Sequence, residues 1–543
     1  MADFGEILIA IGDYGLFQKL LLFGLCFPNL ILPFHLYSLI FTDANDIHYC
    51  NTDWILKVSP NLTGEQQLNL TVPREQDGSF KSCEMFTPVD WDIESIMDYG
   101  INTTTSCQDG WVYENPKFKS TVLEFNLVCR NAYLRIVAQF LFMVGIMVGA
   151  FIFGPLSERL GRRRATQIPL VLMLIFGLGT GLAPNYYVYI TTQFVVGISF
   201  GGFRVNCVLL ATEWIGVSKR SYPSSISKIC NAVGQCLIAV IAFCIRDWRI
   251  VQYVITSPLV VVVIYIWLIP ESARWLLSRG RNEEAKKFIL KAAAINKSTV
   301  PSEILNKITV HKSTDNGTIW DLFKSPLLRK YTLILNFSWF ATNIALYSLS
   351  FNVGNFGLNI FLTQLLFGLV EIPANFICIW LLEIWGRRIS QISTLVVGGV
   401  ICILISAVPQ DNAIIVTSFA IFGKFCITWA GTVCNVFIQE VFPTSVRQSA
   451  NGLGAMSARM GGILAPLVNL LKMVHWAIPT SINGTFLLVG GCLSFMLPET
   501  MRTELPDHTD DVSVNDNDWT IMNTHRGEQT PEEGLQRSLS TKL

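Results

Sequence analysis

Gly154-Pro-Leu-Ser-Glu158-Arg159-Leu-Gly161-Arg162-Arg163-Arg164 is a short charged turn between two apolar runs, 134–156 and 166–184. About 20 consecutive apolar residues cross a bilayer, so the turn reads as a link between two membrane spans. Its arginines mark the cytoplasmic side. A shorter version, Gly386-Arg387-Arg388, follows another apolar run at 359–383, which points to a repeated unit.

Outward from these turns the apolar runs continue at 17–41, 188–214, 222–245, 249–269, 331–353, 391–409, 412–439, 449–472 and 478–497. That makes twelve spans, six on each side of the polar segment 270–329. Composition agrees. The chain of 543 residues is 51% hydrophobic and 15% charged, where a soluble domain carries about 25% charged residues. An all-α membrane protein is expected, with an N-terminal arm and first span (1–41), a large loop (42–132), spans two to six (133–269), a cytoplasmic loop (270–329), spans seven to twelve (330–497) and a disordered cytoplasmic tail (498–543).

The 40 basic and 40 acidic residues balance. With no basic patch, a nucleic-acid partner is not expected. The phosphate-loop, HExxH, GxSxG and TVGYG patterns are all missing, which argues against an ATP-driven pump, a hydrolytic enzyme and a potassium channel. Neither a cofactor nor a metal is expected.

Lys and Arg in the short loops orient the chain. Arg159, Arg162, Arg163, Arg164, Lys219, Arg220, Arg387, Arg388 and Arg447 all fall on one side, and only Arg246 and Arg249 stand out on the other. Both termini and 270–329 should face the cytoplasm, in the plasma membrane, with 42–132 outside. The start, MADFGEILIAIGDYG, lacks a cationic leader and reads as an arm before an uncleaved first span. Four of the fourteen cysteines (Cys50, Cys83, Cys107 and Cys129) lie in the outer loop, enough for two disulfides in any of three pairings. The same loop carries the glycosylation motifs of Asn61, Asn69 and Asn102. Asn296, Asn316, Asn336 and Asn483 match the motif too, but in cytoplasm or membrane.

The repeat is confirmed by three landmark pairs. Gly161 and Gly386, Glu213 and Glu440, and Pro270 and Pro498 share one offset to within three residues. Two six-helix copies related by an axis along the membrane normal are a transporter architecture, with the substrate site expected between them near mid-bilayer.

The turn at 154–163 resembles the signature loop of the major facilitator superfamily. Thr212-Glu213-Trp214, Pro270-Glu271-Ser272-Ala273-Arg274-Trp275-Leu276, Glu440-Val-Phe-Pro443-Thr444-Ser-Val-Arg447-Gln448 and the large first loop resemble solute carrier family 22, the organic-ion transporters. Asn355-Phe-Gly-Leu-Asn-Ile-Phe-Leu-Thr-Gln364 is similar to its organic-anion branch. Tyr49-Cys-Asn-Thr-Asp-Trp-Ile-Leu56 and Cys107-Gln-Asp-Gly-Trp111 are most like members thirteen and fourteen. The resemblance covers nearly the whole chain apart from the tail.

Ionisable groups deep in a membrane are functional candidates by default. Here they are Arg204, Glu371, Lys424 and Arg459, three cations to one anion. The excess is expected to meet an anionic substrate. Arg459 leads, being the eleventh residue of a run that starts at Ser449 and flanked by small residues, which places it about 15 Å into the bilayer. A permanent pair with Glu371 is the competing reading. Lys424 is read as a substrate contact or gate member. The resemblance implies an Arg at Gln193, and Arg204 lies almost three turns further on the same face. It also implies a basic residue at Asn375 in many anion exchangers, and its loss here favours monovalent anions.

Phe243, Trp339, Phe340, Tyr347, Tyr37 and His35 are candidates to stack against a flat anion, by resemblance lining a central cavity, with helix packing as the alternative. Glu158/Arg159 with Arg162 and Arg163, Glu213 with Arg220, Glu271 with Arg274, and Glu440 with Arg447 are expected gate pairs, with Arg387 in the second repeat. The terminal Thr541-Lys542-Leu543 could add as a strand to a PDZ groove. The expected function is secondary transport of small organic anions, urate- or nicotinate-like, by uniport or exchange. An organic cation or zwitterion carrier of carnitine type, and a transport-inactive receptor or scaffold, are the alternatives.

Overall fold

A computed structural model describes the chain except residues 1–3, 13, 43–46, 76–77, 115–117, 216–220, 299, 302–318, 410–411 and 502–543. Helices coincide with all twelve apolar runs: Leu16–Thr42, Tyr133–Leu160, Arg162–Gly181, Tyr186–Trp214, Ser221–Cys244, Trp248–Leu268, Pro326–Phe351, Ile360–Trp385, Arg387–Ala407, Ala413–Val441, Thr444–Leu470 and Ile478–Ser494. Among the described residues, nine helical segments are long and apolar enough to cross a membrane. Two spans are broken by proline, which has no N–H to continue the ladder. The first divides into Leu16–Cys26 and Pro28–Thr42, and the sixth into Trp248–Thr256 and Pro258–Tyr265.

Contacts divide the chain into two compact units. One is Met1–Val310 with Ser350–Leu369 and Pro466–Met473; the other is His311–Leu349 with Val370–Ala465 and Val474–Leu543. In the first unit, spans two and four run side by side because glycines remove the side chains between them. A Cβ on Gly149 would lie 2.0 Å from the Ile198 carbonyl oxygen, and one on Gly201 would lie 2.0 Å from that of Ile146. Any side chain there must part the helices. The second unit has a core of Leu328, Leu335, Val433, Phe437 and Phe442, all but fully buried.

The 42–132 loop contains structure that hydropathy did not indicate. Strand His48–Cys50 pairs antiparallel with Trp111–Tyr113, and Glu84–Phe86 with Thr104–Ser106. Disulfides join Cys50 to Cys107 and Cys83 to Cys129, so one of the three possible pairings is selected. His48 Nε2 lies 4.0 Å from Cys129 Sγ, but a sulfur held in a disulfide is no thiolate ligand.

The loop is anchored at its end. Glu124 accepts from Trp248 Nε1 at 2.7 Å and Arg249 Nε at 3.1 Å, and Arg249 also donates to the carbonyls of Gly181 and Ala183. Phe125 packs among Tyr186, Tyr189 and Trp248. Burial acts to raise the Glu124 carboxyl, but the hydrogen bonds from Arg249 and Trp248 outweigh it and hold the group below the usual glutamate range. A carboxyl lowered by folding adds stability above its unfolded pKa, and that stability is lost as pH falls through the folded value. Glu124→Gln should therefore lower the thermal midpoint at neutral pH and converge on wild type below the ordinary glutamate range. A constant difference across that titration would show that the charge is not what anchors the loop.

Candidate functional site

Each repeat carries the same charged construction at the turn after its second helix. Gly161 (φ +100°) and Gly386 (φ +79°) both sit in the left-handed region that favours glycine. Behind each lies a glutamate. A Cβ on Gly161 would be 2.3 Å from Glu271 Oε2, and one on Gly386 would be 2.7 Å from Glu499 Oε2. These carboxylates satisfy N–H groups that the following helix cannot pair internally. Arg163 N donates to Glu271 at 2.9 Å, and Arg387 N and Arg388 N donate to Glu499 at 2.8 and 3.0 Å.

The arginine beginning each third helix reaches across to the end of the fourth. Arg162 pairs with Glu213 at 3.1 Å, with Glu158 at 2.7 Å, and donates to Ser157 Oγ at 2.9 Å. Arg387 pairs with Glu440 at 2.9 Å, and Thr500 Oγ1 donates to the same carboxylate at 2.7 Å. Glu158 meets the arginine cluster as expected, but Glu213 and Glu440 do not have the expected partners. Glu440 faces Arg387 rather than Arg447, whose Nε donates to the Phe442 carbonyl at the helix break. Glu213 faces Arg162, and its expected partner Arg220 lies outside the described residues. Arg159 and Arg274 are exposed. Ser157, Glu499 and Thr500 are members of the clusters that residue-by-residue reading missed; the alignment of Glu499 with Glu271 in the repeat was the available signal.

Within the membrane-spanning length, Lys424 is fully buried and its Nζ lies 2.8 Å from Glu371 Oε1. Burial of this kind is tolerated only by paired charges. Glu371 is thus engaged by Lys424 and not by Arg459, against the competing reading. One turn on, Asn375 donates to the Glu371 carbonyl at 2.8 Å and accepts from Thr432 Oγ1 at 3.0 Å, tying span eight to span ten. Arg459 is half-buried in span eleven, beside Ser457, which donates to the Asn336 carbonyl.

Arg204 is placed differently. At 100° per residue it shares a stripe with Gln193, Phe200 and Ala211, each 1% exposed. Arg204 itself is exposed, and no ion pair involves it among the described residues. The face of span four that is open at its other end, at Tyr187 and Thr191, points away from it.

The aromatic candidates separate. His35 and Tyr37 are 0% and 4% exposed, which leaves no surface for a solute in this conformation; His35 packs beside Gly177 and Thr256. The Trp339 ring lies against Gly454 of span eleven and the Phe340 carbonyl against Gly461, while the Phe340 ring meets Phe486 edge-on. Tyr347 is half-buried on the same helix. Phe243 is half-exposed, edge-on to Phe361 with the Arg246 guanidinium over its ring.

A family model described as sugar (and other) transporter matches residues 98–507. Solute carrier family 22 member 13 of Homo sapiens is 39% identical over 516 residues, covering 95% of this chain and 94% of its own. The chain belongs to solute carrier family 22. Member 14 of Homo sapiens is 31% identical, over 93% of this chain and 87% of its own, so both members that the loop motifs resemble are among its relatives. The inward-open xylose transporter XylE from E. coli is similar with a TM-score of 0.58 at 15% identity, over 90% of this chain and 98% of its own. At that identity the likeness shows the fold alone, the major facilitator fold of twelve helices in two repeats. A member of solute carrier family 22 is a multi-pass membrane transporter of small organic solutes, not an enzyme.

Proposed function

We propose that this transporter carries small organic anions, of the urate- or nicotinate-like monocarboxylate class, by alternating access. Arg204 is the observation that carries the reading. An exposed guanidinium on an otherwise buried stripe of a membrane span invites a negatively charged partner, and its planar donors suit a carboxylate. Glu371 cannot be that partner's substitute, since Lys424 already holds it at 2.8 Å. Arg459 is the second anchor. The absence of a basic side chain at Asn375 favours cargo with one negative charge. The two Arg–Glu clusters act as gates, holding in one conformation and parting in the other.

The same reading puts the protein in the plasma membrane, with both termini in the cytoplasm and the 42–132 loop outside. Asn61, Asn69 and Asn102 are all exposed, as glycan acceptors must be. A PDZ partner at Leu543 belongs to a tail outside the described residues.

Uptake of labelled nicotinate, urate and tetraethylammonium by cells with verified surface expression tests the cargo. Wild type should take up an anion saturably and leave tetraethylammonium behind. Arg204→Ala should lower anion uptake about tenfold or more, the worth of a charge-assisted hydrogen bond. Uptake of tetraethylammonium alone, or anion uptake indifferent to both Arg204→Ala and Arg459→Ala, would overturn the reading.

A further inference from the structure

The first span begins with only half a cap of its own: Gln18 Oε1 accepts from Gly15 N at 3.1 Å, but residue 15 has no side chain to accept from the leading N–H groups. Its helix starts at Leu16, so Gly15 occupies the position where Ser, Asp or Asn would satisfy the leading N–H groups. The missing oxygen comes from far along the chain. Phe17 N donates to Asn296 Oδ1 at 2.7 Å. Asn296 Nδ2 donates in turn to the Ile11 carbonyl at 3.0 Å and to Gln18 Oε1 at 2.9 Å, and Ser298 Oγ donates to the same Ile11 carbonyl at 2.9 Å. A Cβ on Gly15 would lie 2.4 Å from the Asn296 amide. Glycine is therefore needed at 15 because the cap arrives from outside and fills the space of a local one.

Asn296 ends the helix Asn282–Asn296, on which the N-terminal helix Phe4–Ile11 buries Ile7, Leu8 and Ile11. The start of the same segment holds the Gly161 turn. Glu271 accepts from Arg163 N at 2.9 Å, and Trp275 Nε1 donates to the Glu158 carbonyl at 2.9 Å. Residues 271–298 are thus fastened at one end to the charge cluster and at the other to the first span. All of these residues lie in the first unit. We propose that Asn296 is a positioning residue for transport, a cap supplied by a distant helix of the same chain that makes the first span and the Gly161 charge cluster move as one body. This does not depend on the charge of the cargo. It also accounts for the Asn296-Lys297-Ser298 sequon, whose amide is spent on the fastening.

The distinction from an ordinary cap is testable, because Gly15→Ser can supply the oxygen locally once Asn296 is shortened. Hydrogen exchange is read on the full-length protein in nanodiscs. Asn296→Ala should speed exchange at Phe17, through 4–11 and through 282–296 together, by about fivefold. Adding Gly15→Ser should re-protect Phe17 while 4–11 and 282–296 stay fast. In uptake of labelled nicotinate, both variants should show a lowered maximal rate with KM unchanged. Acceleration confined to Phe17, or full recovery of exchange and rate in the double variant, would overturn the proposal and leave a local cap. Should Asn296→Ala fail to fold, Asn296→Asp decides: it keeps the acceptor for Phe17 N and loses the donor to Ile11, so 4–11 should loosen, and its staying protected would overturn the proposal. If nicotinate is not carried, the anion reading fails while the exchange result still judges this one.

Discussion

Lys424→Ala is expected to cost a large share of the protein's stability. The change strands the Glu371 carboxylate, which is 11% exposed and loses a partner at 2.8 Å. Removing one half of a buried pair costs about 3–5 kcal/mol, against about 5–15 kcal/mol that holds an ordinary domain together. Lys424→Met combined with Glu371→Gln should recover the thermal midpoint, since it removes both charges at similar volume. Size-exclusion profiles and thermal midpoints of the three proteins check this. A wild-type midpoint in Lys424→Ala would mean that spans eight and ten do not depend on the pair. Retained nicotinate uptake in the double variant would mark the pair as architecture rather than as part of the cargo site.

Arg162→Ala and Arg387→Ala should differ although they occupy equivalent places in the two repeats. The Arg162–Glu213 pair is 8% and 10% exposed, whereas Arg387–Glu440 is 19% and 23% exposed. Each glutamate keeps a hydroxyl partner after its arginine is gone, Ser272 for Glu213 and Thr500 for Glu440, so burial is the difference between them. Arg162→Ala is expected to lose about 3–5 kcal/mol as a broken buried pair. Arg387→Ala should lose about 1–3 kcal/mol, the worth of a charge-assisted bond partly replaced by water and Thr500. Arg162→Lys keeps the charge but not the fork that serves Glu213, Glu158 and Ser157 at once, and should fall between. Equal losses in the two alanine variants would refute the dependence on burial.

Spans, repeat and charged turns were legible because each is a local signal. An apolar run of membrane length has few other uses, and a glycine followed by arginines twice at one offset needs no third dimension to be noticed. Pairing within the clusters was not legible. Nearness in the chain paired Glu213 with Arg220 and Glu440 with Arg447, but nearness in sequence does not survive a break in the helix. Span ten stops at Val441 and a new helix begins at Thr444, so Arg447 turns to the Phe442 carbonyl at the break, while Glu440 is met by the arginine opening the neighbouring span. His35 and Tyr37 are packed away in this conformation for a related reason. A histidine in an apolar helix has the same local sequence whether it faces neighbouring helices or water, and here the glycine of span three lets it pack.

By itself the amino-acid order determined a twelve-span chain, its internal duplication and its family, since hydropathy, glycine-arginine turns and repeat spacing are all properties of neighbours in the chain. Only the tertiary structure decided which carboxylate neutralises which cation, which sulfurs join, and that Asn296 caps a helix that begins at Leu16. Those choices turn on distances of about 3 Å or less between groups tens to hundreds of residues apart, set by how the helices pack.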